Sequence, residues 1–72
     1  MEDKYDSRKK RYVEAWNTIY FDTEEPINLS CQEYDELGFD FTMNEMFDCA
    51  FRTYHRGIEA GHKELILILG AL

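Results

Sequence analysis

Apolar positions along the chain recur mostly at helical spacing. Tyr12, Val13, Trp16, Ile19 and Tyr20 stand at i, i+1, i+4, i+7 and i+8, so they share one face of a helix expected over about 6–20. Pro26 lacks a backbone donor and disfavours a helical Glu25, so residues 21–29 read as a loop. Ser30 and Glu33 have the spacing of a capping box, and Leu29 and Tyr34 that of its hydrophobic staple. A short helix over about 31–37 follows, with Gly38 suited to a left-handed end.

The same grammar recurs. Thr42 with Glu45 reads as a second capping box, and Phe41 with Met46 as its staple. They open a third helix expected over about 43–60. Met43, Met46, Phe47, Ala50, Phe51, Tyr54 and Ile58 form its apolar stripe, and Asp48 with Arg52 an i,i+4 ion pair. The apolar tail, 62–72, is harder to read. Leu65 to Leu69 suits a buried strand by propensity. Yet Phe47, Phe51, Tyr54, Ile58, Gly61, Leu65, Ile68 and Leu72 step alternately by four and three, a heptad seam. With no second alternating segment to pair with, the tail is expected to be helical rather than a strand. The expected architecture is all-α, a small bundle of three or four helices forming one domain over 1–72.

Charge changes this picture more than composition does. Residues 1–12 carry five Lys/Arg and three Asp/Glu; residues 13–49 carry ten Asp/Glu and no Lys/Arg; residues 50–72 carry three basic and two acidic groups. The forty residues between Arg11 and Arg52 thus hold no basic side chain, within a chain of net charge −7. Such a field repels phosphates and attracts a cationic surface. Arg8 to Arg11 adjoin Tyr12 and Trp16, but the rest of the chain is strongly anionic, so direct nucleic-acid binding is not expected. The longest apolar stretch, Leu65 to Leu72, falls short of the roughly 18 residues a membrane span needs, and no export signal is legible, so a cytoplasmic protein of a bacterial or host cell is expected.

No chemistry-bearing motif emerges. Cys31 and Cys49 form no CxxC pair and are expected as reduced thiols, with Cys49 on the polar side of the third helix near Arg52 and Arg56. The four glycines are dispersed and offer no phosphate-cradling loop. Read as a calcium loop from Glu33, the chain places Leu37 and Asn44 where an oxygen ligand and a bidentate glutamate belong. His55, Glu59 and His62 would share a face only on an unbroken helix and lack a fourth ligand; they are expected to face solvent. No enzyme activity, metal or cofactor is therefore expected.

No motif assigns a family. In size, helicity and its basic-free acidic block, the chain resembles small phage or mobile-element inhibitors that imitate nucleic-acid charge, such as anti-CRISPR and anti-restriction proteins. That resemblance implies a protein-binding regulator that occupies the basic, nucleic-acid-binding surface of a partner protein. The contact residues expected from the charge pattern are Asp22, Glu24, Glu25, Glu33, Asp35, Glu36 and Asp40. The alternative is a small homo-oligomeric interaction protein that assembles through Leu65, Ile66, Leu67, Ile68, Leu69 and Leu72.

Overall fold

The computed structural model describes residues 4–71, and their side chains from residue 9 onward; the expected role of Leu72 lies outside the described residues. Four helices form a small all-α bundle: α1 (Lys4–Tyr20), α2 (Cys31–Met43), α3 (Phe47–Glu59) and α4 (Leu65–Gly70). There is no strand among the described residues. The tail therefore takes the helical alternative, though as one short helix over part of its length.

The start of α2 follows local chemistry. The Ser30 hydroxyl accepts the Glu33 N–H at 3.2 Å, and the Glu33 carboxylate accepts the Ser30 N–H at 3.0 Å. Two orphan donors are thereby satisfied. Leu29 and Tyr34 are both buried, as a staple requires.

α2 and α3 make the central pair. A Cβ built on Gly38 would lie 2.3 Å from the Tyr54 ring, and one on Gly57 would lie 2.2 Å from Leu65 and 3.1 Å from the Tyr34 ring. These close approaches pair 38 with 54 and 34 with 57, so α2 and α3 run antiparallel. Gly38 does not end α2 as its position suggested. It lies inside the helix because its missing side chain makes room for an aromatic ring. The Tyr54 hydroxyl then donates to the Asp35 carbonyl at 3.4 Å. The core contains Ile19, Tyr34, Leu37, Phe41, Ala50, Tyr54 and Leu65, drawn from all four helices.

α1, α2 and α3 end in the same hydrogen-bond pattern, the Schellman motif. At the end of α1, Asp22 N–H donates to Ile19 O and Thr23 N–H to Thr18 O, both at 3.1 Å. At the end of α2, Glu45 donates to Thr42 O at 3.0 Å and Met46 to Phe41 O at 2.8 Å. At the end of α3, Gly61 donates to Ile58 O and His62 to Gly57 O, both at 3.0 Å. The residue after each cap has positive φ: 54° at Asp22, 60° at Glu45 and 106° at Gly61. Only the last is glycine.

This corrects the second capping box. Thr42 and Met43 belong to α2, and the Thr42 hydroxyl donates back to Gly38 O at 2.9 Å. Met46 precedes α3 and supplies no side-chain cap. Phe41 is buried and Met46 packs against the core to which it belongs. They form the hydrophobic accompaniment of a helix end rather than a staple at a helix start.

α3 is also rotated from the expected register. Its buried face is Cys49, Ala50, Thr53, Tyr54 and Gly57. Cys49 is buried rather than on the polar side, while Phe47 and Phe51 are about half exposed. The heptad seam does not form, because α3 stops at Glu59 and Gly61 redirects the chain. In the tail, Leu65 is fully buried against Gly57, Ile68 and Leu69 are partly buried, and Ile66 and Leu67 face outward.

The two readings of residues 42–46 predict opposite signs for one substitution. A β-carbon in left-handed backbone costs about 1–2 kcal/mol, offset in part by the extra freedom glycine has when unfolded. Glu45→Gly is therefore expected to raise unfolding free energy by about 0.5–1 kcal/mol in a urea titration. Thr42→Ala, which exposes no orphan N–H, is expected to change it by less than about 0.5 kcal/mol. Destabilisation of about 1 kcal/mol by both would restore the capping box.

Candidate acidic interaction surface

The surface is shaped by where the cations go. Arg52 and Arg56 project from α3 toward the end of α1 and the segment after it. Arg52 donates through Nε and Nη2 to Ile19 O at 3.3 and 3.1 Å. It also approaches Cys49 Sγ at 3.2 Å. Its Nε lies 3.8 Å from the Asp22 carboxylate, so it pairs across the fold and not with Asp48. Arg56 donates to Glu25 O at 2.7 Å and to Thr23 O. Both guanidiniums thus saturate carbonyls that have left the helical ladder of α1 or never joined one.

The seven carboxylates singled out from the charge pattern do not form one surface. Glu24 and Glu25 are exposed on the loop that Arg56 holds, with Asp22 beside them against Arg52. Glu33 serves the α2 capping box and lies 3.7 Å from Arg11. Asp40 accepts the Tyr12 hydroxyl, which ties α2 to α1. Glu33, Glu36 and Asp40, at i, i+3 and i+7, share the side of α2 that carries these contacts. Asp35 stands on the other flank, half-buried near Cys31. The Cys31 thiol there donates to Glu64 at 3.6 Å.

Three of the seven, Asp22, Glu33 and Asp40, are thus engaged within the fold, while Glu24, Glu25 and Glu36 are exposed. Local charge density did not single out Glu45 and Asp48, which are also exposed. Their signal was the missing basic residues on either side, not a run of acids.

The titratable groups inside the bundle are phenols and thiols rather than acid–base pairs. Desolvation, then the hydrogen bond to Asp40 and the charges of Asp40 and Glu36, hold the Tyr12 phenol well above its ordinary value. Desolvation also raises Tyr34, against a small opposing effect of Arg56, and Tyr54, with Asp35 adding to it. The Cys31 thiol is raised by desolvation, then by Glu64 and Asp35, the opposite of what a nucleophilic thiol needs. His55 lies 3.4 Å from Glu59, but His62, beyond the end of α3, packs on the Tyr34 ring. Among the described residues, no three His, Cys, Asp or Glu side chains are grouped to hold a metal ion. No helix among them is long and apolar enough to cross a membrane.

The chain matches no known protein family, no curated protein and no solved structure.

The raised phenols carry a pH dependence. Their folded-state values lie above the ordinary 10.0, so the folded state favours the neutral form. That contribution is fully present below about pH 10 and is lost as pH rises beyond it. In a phenolate absorbance titration, three of the five tyrosines are expected to ionise late, together with loss of the helical circular-dichroism signal. All five ionising together near pH 10, with helicity intact, would contradict the assignment.

Proposed function

We propose that this protein is a non-catalytic regulator that binds another protein through its acidic surface. In this reading it is an inhibitor that occupies a basic, nucleic-acid-binding face of its partner. The observation that carries the reading is the fate of the cations around the basic-free stretch. Arg11 faces Glu33, and Arg52 and Arg56 are spent on carbonyls of residues 19–25. Glu24, Glu25, Glu36, Glu45 and Asp48 are exposed and form no ion pair among the described residues. A surface that mixed both signs would screen itself; this one presents carboxylates whose field reaches outward about a Debye length.

Each exposed ion pair with a partner is worth only about 0–1 kcal/mol, so the effect is collective. It shows mainly in association rate and salt dependence. The test is capture of proteins from a cell lysate by the immobilised chain, eluted with a salt gradient. The retained proteins are expected to be basic and to elute by about 0.3 M salt. The combined variant Glu24→Lys, Glu25→Lys, Asp35→Lys and Glu36→Lys is expected to stay folded and lose them. If the variant retains the same proteins, the charge serves solubility alone. The oligomer reading, favoured by Leu67 at 81% exposure beside an exposed Ile66, then becomes the better supported one.

A further inference from the structure

α1 covers one side of the α2–α3 pair; on the other, α4 packs at the Gly57 end and the Phe39, Phe47 and Phe51 side chains stay about half exposed. On α3 the flank toward α1 carries Cys49, Arg52, Thr53 and Arg56, of which Arg52 and Arg56 bond to the Ile19–Glu25 backbone. On α2 it carries Glu33, Asp40 and Phe41, which meet Arg11, Tyr12 and Trp16. At about 100° per residue, the opposite flank carries Phe47 and Phe51 on α3 and Phe39 on α2, with Met43 at its edge. These four are 51%, 47%, 58% and 67% exposed. They are the side chains that the expected register of α3 and the expected end of α2 would have buried or placed elsewhere.

The rim of this face carries four carboxylates and one imidazole, His55, which stands four residues after Phe51 on α3 and 3.4 Å from the Glu59 carboxylate. Asp35 and Glu64 converge on Cys31 at one end, and Glu45 and Asp48 lie at the turn between the helices at the other. The basic-free stretch spans the whole of α2 and the first turn of α3, and the next cations, Arg52 and Arg56, point to the α1 side.

We infer that the Phe39–Phe47–Phe51 face is a docking site for a cationic amphipathic helix of a partner protein. The inference rests on the acidic-surface reading and supplies its partner class. Aromatic side chains carry roughly 200 Å² each, so four large residues about half exposed offer roughly 400 Å². That is half of the roughly 800 Å² per partner in a standard interface between folded proteins, and it suits the apolar stripe of one helix. A second copy of this chain would bring two carboxylate rims together, a like-charge juxtaposition that disfavours pairing. A helix whose leucine-type stripe is flanked by Lys or Arg satisfies both the apolar centre and the rim.

The test uses a fluorescent leucine/lysine peptide with leucines at i, i+3, i+4 and i+7, roughly five turns long, and a leucine/glutamate peptide of identical pattern. Anisotropy is read at about 50 mM salt. The lysine peptide is expected to bind the full chain at least tenfold more tightly than the glutamate peptide. Phe47→Ser/Phe51→Ser is expected to weaken it at least tenfold, with the circular-dichroism spectrum unchanged. Phe39→Ser/Met43→Ser, on the other helix, gives the same reading should the first variant not fold.

Equal binding by the wild type and the serine variants would overturn the docking site while leaving the acidic reading standing. Equal binding of the two peptides would overturn both. No binding of the lysine peptide would overturn the docking site, and the acidic reading would then rest on the lysate capture alone. A dimer in sedimentation that the serine variants split would make a second copy the occupant, and that too overturns the inference.

Discussion

The arrangement turns on two guanidiniums. Where α1 ends, its last carbonyls and those of the following loop have no helical partners, and Arg52 and Arg56 reach from α3 to fill Ile19 O, Thr23 O and Glu25 O. Ile19 O already accepts the Asp22 N–H, so Arg52 adds a second, charge-assisted donor there, and together these bonds cross-link the end of α1 and the following loop to α3. They are assisted by the Tyr12–Asp40 hydrogen bond and by Trp16 stacked on Phe41 at 5.3 Å. The same contacts withdraw α3's two arginines from the surface. Structure and electrostatics are therefore coupled: the bonds that hold α1 in place also occupy both arginines, while Glu24, Glu25, Glu36, Glu45 and Asp48 form no ion pair among the described residues.

Much of the fold was legible where local chemistry decides it. The helical periodicity of 12–20, the loop at Pro26 and the Ser30/Glu33 box with its Leu29/Tyr34 staple each depend on residues within a few positions of one another. Where the reading went astray, the information lay elsewhere in the fold. A hydrophobic pair at i and i+5, such as Phe41 and Met46, fits a helix start and a Schellman end equally. What decides is the φ of Glu45, a residue with no special preference for the left-handed region. Gly38 looked like a terminator because nothing in its neighbourhood announces that the Tyr54 ring will lie on it from sixteen residues away. Once α2 runs on to Met43, the start of α3 moves to Phe47 and its buried face turns toward Cys49 and Thr53. The two phenylalanines counted as core are then left half outside.

The candidate surface was legible in outline and not in detail. The absence of Lys and Arg between Arg11 and Arg52 is plain in the sequence, and it points to an anionic protein. Which carboxylates face outward unused is a tertiary question. Asp22 is engaged by Arg52, 30 positions away, Asp40 by Tyr12, 28 positions away, and Glu33 by a helix cap. Glu45 and Asp48, isolated among apolar neighbours, become exposed because of where the α2–α3 turn falls. The apolar centre of the Phe39–Phe47–Phe51 face was hidden for the same reason, since its residues fit a core stripe equally well.

The central claim is that Arg52 and Arg56 strap α1 onto the α2–α3 pair. Native-state hydrogen exchange on the Arg52→Gln/Arg56→Gln variant tests it most directly. Amides of α1 and of residues 19–25 are expected to lose protection by at least about tenfold, while those of α2 and α3 around Leu37, Phe41 and Tyr54 keep theirs. Equal loss across all the helices, or no loss in α1, would contradict it.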